Sequence, residues 1–184
     1  MSDNYSSYLL AIAAIIAAVT ACLVFFLKPG RKERAVPPSS PVTYGSISVF
    51  FDRTGNVTII PYVKDRFGTG RATSGVVFLK NSCSASKLGS AIRSSMESCR
   101  GAEPCTNREL LEKLKTRDWV AFSADKRNIS IYYKDHYGIV FNTTTRKAEG
   151  VYEFNHNGAE KSLPPDTGDK VLGDTVLKLL KKCR

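Results

Sequence analysis

Apolar residues recur at helical spacing in two stretches that begin with the same Leu-Gly pair. From Leu88 and from Leu172, apolar or small side chains follow at i+3, i+4, i+7, i+8 and i+11, while charges occupy the other faces. Leu, Gly, Cys and Arg stand at the same four offsets in residues 88–100 and 172–184. We interpret the two stretches as amphipathic helices, called the LG helices below, that belong to a duplicated strand-then-helix unit.

Gly89 and Gly173 directly follow the first apolar residue of each LG helix. Glycine inside a helix costs about 1 kcal/mol relative to alanine. Its presence at both positions therefore indicates a close approach of another part of the backbone. We expect each glycine to lie against a sheet.

Period-two alternation predicts strands on both sides of the first LG helix. The predicted strands cover residues 46–51, 57–62, 75–79, 128–133, 139–142 and 147–154. The apolar run 119–122 predicts a buried strand or turn. The order of strands and helices predicts an α+β fold with a mainly antiparallel sheet and packed helices.

Polar residues mark where the helices begin. Ser84 or Ser86 is the expected N-cap of the first LG helix, and Thr167 or Asp169 that of the second. Residues 106–109 form a capping box ahead of a short helix that runs to residue 115.

An uncharged apolar run, residues 9–27, precedes this domain. At about 1.5 Å per residue it spans roughly 28 Å, close to one hydrocarbon core. Basic residues follow the run but do not precede it, which predicts a non-cytoplasmic segment 1–8 and a cytoplasmic domain. The predicted organisation is a single inner-membrane span at 9–27, a basic and proline-rich linker at 28–43 and an α+β domain at 44–184.

Residues 19–22 also form a degenerate lipobox, which would make Cys22 a lipidated N-terminus. The apolar run continues past Cys22, and no basic residue precedes it. We therefore expect Cys22 to be a small side chain facing lipid.

The residues that could carry chemistry form no recognisable catalytic or metal-binding pattern. The chain lacks GxSxG, HExxH and CxxC motifs, and Cys99 and Cys183 lie on apolar helix faces. His136 lies in a predicted turn, and neither it nor His156 has a carboxylate at a spacing that local structure would turn into a pair. We predict no enzyme activity, cofactor, metal or small-molecule substrate.

Residues 44–184 contain 23 Lys and Arg against 15 Asp and Glu, spread along the sequence. This excess suits an acidic partner but also an ordinary solvated surface. Tyrosines and phenylalanines interleaved with these bases could form a platform for single-stranded nucleic acid. Because strands alternate faces, about half of the rings must instead fill the core.

The order of the motifs is informative. The first LG helix ends at Cys99-Arg100, and the Glu109-Leu110-Leu111 helix, residues 118–122, the strand 128–133 and the second LG helix follow. This order resembles the immunity proteins of bacterial contact-dependent growth inhibition systems, in the branch with two LG helices. The resemblance covers residues 46–184. Most proteins of that family lack a membrane anchor, and many are acidic, whereas this domain is basic.

The resemblance implies a non-catalytic protein that binds the toxin domain of a large exoprotein, often a nuclease, and blocks its active site. Arg66, Arg71 and Lys134 are the residues that we expect to face an acidic patch on the toxin. The alternative is a membrane-tethered basic nucleic-acid-binding protein. A further alternative is a structural membrane module without a toxin partner.

Overall fold

The structure contains eight strands and four α-helices in the described residues, and their order agrees with most of the sequence pattern. A computed structural model describes residues 41–184. The strands are β1 (Ser46–Phe51), β2 (Val57–Lys64), β3 (Gly70–Ala72), β4 (Val77–Leu79), β5 (Arg127–Lys134), β6 (Gly138–Arg146), β7 (Tyr152–Phe154) and β8 (Lys161–Leu163). The α-helices are α1 (Ala85–Glu97), α2 (Asn107–Leu114), α3 (Trp119–Ser123) and α4 (Asp169–Leu179), with 3-10 turns at Ala148–Gly150 and Leu180–Lys182.

The strands form one antiparallel sheet in the order β3-β2-β1-β5-β6-β7. The short strand β4 also pairs with β2, and β8 pairs with β6. The predicted α+β class with a mainly antiparallel sheet is confirmed.

The sheet is built from two halves of the same topology. In the first half, the hairpin β1–β2 is followed by β3 and β4, which pair with the end and the beginning of β2, and then by α1. In the second half, β7 and β8 pair in the same way with β6, and α4 follows. The halves meet where β1 pairs with β5. The strand-then-helix unit predicted from the two LG helices is therefore present twice.

The LG helices pack on one face of the sheet through the apolar stripes that their periodicity predicts. Their side chains meet the inward-facing residues of β1, β2, β5 and β6 in the main core. The buried stripe residues are Leu88, Ile92, Met96, Cys99, Leu172, Val176, Leu179 and Cys183.

The two helix glycines face each other's helix rather than the sheet, so that part of the prediction is wrong. A Cβ on Gly89 would lie well under 3.0 Å from the backbone of Asp169, the first residue of α4. A Cβ on Gly173 would meet the backbone of Ala85, the first residue of α1, in the same way. Leu88 and Leu172 make the contact with the sheet. The neighbouring glycines point about 100° away from them around the helix, toward the crossing helix.

The helix caps agree with the sequence at two of three positions. The Ser84 side chain accepts from the Lys87 N–H, and Thr106 and Glu109 form the predicted capping box. The cap of α4 is Gly168 rather than the predicted Thr167 or Asp169.

Two segments differ from their predicted secondary structure. Residues 119–122 belong to the helix α3, because the Asp118 carboxylate accepts a 2.7 Å hydrogen bond from the Ala121 N–H and begins a helical turn there. Residues 147–154 are not one strand. Glu149 has φ +60°, which closes a 3-10 turn and leaves only Tyr152–Phe154 paired.

The helices α2 and α3 cover part of the opposite face of the sheet and enclose a second, smaller core. Phe50 is its centre, with edge-to-face contacts to Trp119, Phe122 and Tyr152 at ring separations of 5.7, 5.2 and 5.5 Å. The remainder of this face is not covered by a helix of the described residues.

The predicted membrane span, residues 9–27, and most of the linker lie outside the described residues. Within residues 41–184, no helix is both long and apolar enough to cross a membrane.

Candidate functional site

A groove opens at the end of the sheet where β1 begins. Its volume is about 540 Å³. We call it the end groove, and its lining residues are Tyr44, Gly45, Ser46, Tyr62, Val63, Lys64, Gly70, Tyr132, Tyr133 and Lys134.

The end groove exists because the central strand is shorter at this end than its two neighbours. β1 begins at Ser46, which pairs with Tyr62 on one side and Tyr132 on the other. β2 and β5 each continue for two more residues, to Lys64 and Lys134. Side chains two positions apart share a face of a strand, so a tyrosine and a lysine from each flanking strand lie on the same side.

Glycine at position 45 allows the chain to turn away from the groove. Gly45 has φ +106°, and a Cβ there would collide with the backbone carbonyl of Met96. The Gly45 carbonyl accepts a 3.0 Å hydrogen bond from the Tyr133 N–H, which fixes this turn against β5.

The structure brings the three predicted partner residues to the same end of the sheet but places only one of them in the groove. Lys134 lines the groove. Arg71 is exposed on β3 opposite Val63, and Arg66 lies in the turn between β2 and β3. Their contact with a toxin stays a prediction.

Tyr62 carries a hydroxyl group that stays neutral far into the alkaline range. Burial raises the pKa of Tyr62 to about 12, against a smaller opposing effect of a hydrogen bond with Ser48. Burial likewise raises the pKa of Tyr152 to about 12, opposed by Arg146. The Tyr152 hydroxyl donates toward the carbonyls of Ser123 and Lys126, at 3.2 and 2.9 Å.

These two tyrosines are expected to destabilise the domain at high pH. Tyrosines of the unfolded chain ionise near pH 10, whereas Tyr62 and Tyr152 resist ionisation until about 12 in the fold. Their contribution to stability is therefore complete below about pH 10 and is lost between about 10 and 12. Denaturant unfolding at stepped pH values should show a falling free energy in this window.

Tyr62→Phe should reduce that pH dependence, whereas Tyr137→Phe, at an exposed turn, should leave it unchanged. An equal loss of stability with pH in wild type and Tyr62→Phe would contradict the expected role of Tyr62.

A second depression lies on the same face of the sheet, beyond Tyr62. Its volume is about 270 Å³. We call it the sheet cleft, and it is lined by Ser48, Phe50, Tyr62, Trp119, Asn128, Ser130, Thr144, Gly150, Val151, Tyr152 and Phe154. Polar side chains of β1, β5 and β6 form its floor. Large apolar side chains at its rim are half exposed: Val151 at 54% and Phe154 at 55%.

Backbone geometry also builds the rim of the sheet cleft. Gly150 has φ +77°, and its carbonyl accepts a 3.0 Å hydrogen bond from the Trp119 indole N–H. This hydrogen bond connects the turn before β7 to α3 and fixes the position of the Trp119 ring at the rim. The sequence did not indicate the cleft because its lining comes from six separate segments.

His156 has a carboxylate partner that the sequence analysis did not expect. Its Nε2 lies 2.5 Å from Oε2 of Glu160, and the Lys182 ammonium pairs with the other carboxylate oxygen. The hydrogen bond from Lys182 holds the pKa of Glu160 below its usual range. The i, i+4 spacing was visible in the sequence, but the polar connection indicated no local structure. The contact between Lys182 and Glu160 is an ion pair, and neither His156 nor Glu160 lines the end groove or the sheet cleft.

The buried cysteines are thiols with suppressed reactivity. The Sγ–H groups of Cys99 and Cys183 donate to the carbonyls of Ser95 and Leu179, four residues earlier, at 3.4 and 3.7 Å. Burial raises the pKa of both thiols. Within residues 41–184, no group of three or more His, Cys, Asp or Glu side chains could hold a metal ion.

Comparisons with known proteins find similarity in fold only. No protein-family model and no curated protein matches the chain. A protein of unknown function from Neisseria meningitidis matches with a TM-score of 0.59 and 9% identity, over 79% of this chain and 99% of that chain. A chain of a CdiA-CT/CdiI toxin and immunity complex from Yersinia pseudotuberculosis matches with a TM-score of 0.56 and 14% identity, over 78% of this chain and 99% of that chain. The described domain thus shares its fold with these two chains.

Proposed function

We propose that the domain 44–184 is an immunity protein that binds and neutralises the toxin domain of a contact-dependent growth inhibition effector. The observation that carries this proposal is the similarity in fold to a chain of a toxin and immunity complex, which extends over 99% of that chain. The order of motifs in the sequence points to the same family. A nuclease is the toxin class that the resemblance implies.

Neutralisation requires a complementary surface rather than turnover, and the chemistry of the domain agrees with this. His156 is engaged by Glu160, and the buried thiols of Cys99 and Cys183 are poor nucleophiles. We therefore propose stoichiometric inhibition without catalysis, cofactor or small-molecule substrate. We also propose the cellular placement implied by residues 9–27, with an anchor in the inner membrane and the domain in the cytoplasm.

The sheet cleft is the surface best suited to hold the toxin. Protein interfaces combine aromatic anchors with a polar surround, and their strongest contacts lie in desolvated pockets. The sheet cleft offers Trp119, Tyr152 and Phe154 around a floor of serine, threonine and asparagine side chains. The alternative nucleic-acid-binding function stays a prediction.

Co-expression tests the function directly. The full chain should protect bacteria against the toxin domain encoded in the adjacent reading frame and should not protect against toxins from unrelated loci. Purified chain and toxin should form a complex of fixed stoichiometry. Death of cells that contain abundant folded protein together with the adjacent toxin would refute the immunity function.

Substitutions at the rim test the proposed surface separately. Phe154→Asp should weaken toxin binding about thirtyfold, since burial of an aromatic anchor is worth about 2 kcal/mol or more. Leu177→Asp is the matched control, because Leu177 is also a partly exposed apolar residue but lies on α4. If both variants bind the toxin as wild type does, the toxin docks elsewhere. Equal weakening by both would also contradict a site in the sheet cleft.

A further inference from the structure

Two turns at the end of the sheet where the chain enters the domain carry exposed aromatic side chains. Phe67, between β2 and β3, is 77% exposed, and Tyr137, between β5 and β6, is 57% exposed. Because β1 is antiparallel to β2 and β5, both turns lie at the end where β1 begins. Tyr44, just before β1, is 46% exposed. Three large rings therefore project from one end of the domain.

Each of these rings carries a cation on its face. The guanidinium carbon of Arg66 lies 4.7 Å from the centre of the Phe67 ring, and the Lys134 ammonium lies 4.6 Å from that of Tyr137. The Arg100 guanidinium lies 5.3 Å from the Tyr44 ring. An apolar ring and a positive charge are thus presented together at all three positions.

Phe67 is held outward by the structure of its turn. One carboxylate oxygen of Asp65 accepts hydrogen bonds from the N–H groups of Phe67 and Thr69, at 2.8 and 3.0 Å. The Asp65 carbonyl accepts from the Gly68 N–H at 2.9 Å. Phe67 is therefore exposed within an ordered turn, at the same end of the domain as the other exposed rings.

On the two turns and the strand ends next to them, basic side chains outnumber acidic ones. The basic residues are Lys64, Arg66, Arg71 and Lys134. Asp65 and Asp135 are the carboxylates of the two turns, and Asp65 is engaged by the backbone of its own turn. Aromatic rings at the depth of the headgroups, with cations beside them, are the pattern by which proteins contact anionic bilayers.

We propose that this end of the domain docks on the surface of an anionic lipid membrane. The rings of Phe67, Tyr137 and Tyr44 would lie among the headgroups, while Arg66, Lys134 and Arg100 face lipid phosphates. Two observations support a lipid membrane as the partner. The cations complement anionic headgroups, and the predicted membrane span with its basic flank precedes residue 41, close in sequence to Tyr44 at this end of the domain. The sheet cleft stays open to a partner in this orientation. The proposal does not depend on the immunity function.

Hydrogen exchange on the full chain tests the docking. The probes are vesicles of phosphatidylcholine alone and vesicles that also contain phosphatidylglycerol. Amides of residues 65–69 and 135–138 should exchange at least about tenfold more slowly with the anionic vesicles, and added salt should reverse this protection. The turn at residues 52–56, at the opposite end of β1, should be unaffected. Equal exchange with both vesicle types, or equal protection of both ends, would overturn the proposal.

Charge reversal identifies the residues responsible. Loss of one cation near an anionic surface weakens binding roughly fivefold, so Arg66→Glu with Lys134→Glu should abolish the protection. Arg108→Glu with Lys113→Glu makes the same change of charge on exposed positions of α2 and should have no effect. Phe67→Ser, at an exposed position that does not support the core, should reduce the protection without reversing any charge.

A toxin-binding role for the same residues predicts a different outcome. If Arg66→Glu with Lys134→Glu keeps its lipid-dependent protection from exchange but no longer protects cells from the toxin, this end binds the toxin, and the membrane proposal is wrong. If the variant loses the protection from exchange and still neutralises the toxin, the membrane proposal is supported.

Discussion

Replacement of Gly89 or Gly173 by alanine is expected to lower the free energy of unfolding by about 3 kcal/mol, at the upper end of the usual cost of overpacking. A single added methyl group would collide with backbone atoms of the crossing helix, at Asp169 in one case and Ala85 in the other. Backbone cannot rotate aside as a flexible side chain can, so α1 and α4 must separate. In an isolated helix, the same change would be favourable by about 1 kcal/mol.

Denaturant unfolding of the domain measures this effect, and Gly70→Ala supplies the control. Gly70 lies in β3, and no atom lies within 4 Å of the position where its Cβ would be. This substitution should change stability by less than about 0.5 kcal/mol. Unchanged or raised stability in both LG-helix variants would show that the close helix crossing is not required.

The reciprocal glycine contacts follow from the duplicated topology. Each LG helix begins three residues before its leucine, and the first residue of each helix touches the glycine of the other. A contact of this kind needs small residues at two equivalent positions. The repetition of Leu-Gly in both halves therefore reflects one shared interface rather than two separate contacts with the sheet.

Periodicity identified the LG helices and their buried faces because these depend on residues close in the sequence. The partner of Gly89 depends on α4, about 80 residues later, and no local pattern specifies it. For residues 119–122 the difficulty is local, because the pattern is too short to identify the type of secondary structure. Four consecutive nonpolar residues do not distinguish a strand from one helical turn, and the Asp118 cap decides the outcome.

The candidate surfaces could be predicted only in part. The sequence identified Lys134 as a partner residue, and the structure places it in the end groove. The groove itself arises because β1 is shorter than β2 and β5, a difference that becomes visible only when the register of pairing is known. The rim of the sheet cleft depends on β7, which the sequence analysis placed within a longer strand.

The proposed toxin and membrane surfaces occupy different parts of the domain. The turns with Phe67 and Tyr137 lie at one end of the sheet, whereas Val151 and Phe154 border its open face. A domain that docks by this end would keep the open face of its sheet off the lipid surface. Binding to lipid would therefore restrict the orientation of the domain without covering the sheet cleft.

The buried ion pair between the LG helices is expected to make the other large contribution to stability. Arg93 on α1 is only 5% exposed, and its Nε donates a 2.7 Å hydrogen bond to the Asp169 carboxylate. The same guanidinium donates to the Thr167 carbonyl, just before α4. Arg93→Met should lower the free energy of unfolding by about 3 kcal/mol, the lower end of the cost for a buried pair, because the Asp169 carboxylate, which is 19% exposed, loses its partner.

Arg108→Met is the matched control for the loss of this charge. Arg108 pairs with Glu112 on the surface of α2, where both side chains are mostly exposed. Loss of that pair should cost no more than about 0.5 kcal/mol. The double variant Arg93→Met with Asp169→Leu should recover part of the stability lost in Arg93→Met, because it removes the unpaired carboxylate together with its partner. Equal unfolding free energies for the Arg93 and Arg108 variants would mean that the α1–α4 crossing is held by its glycine contacts and apolar stripes without a contribution from the ion pair.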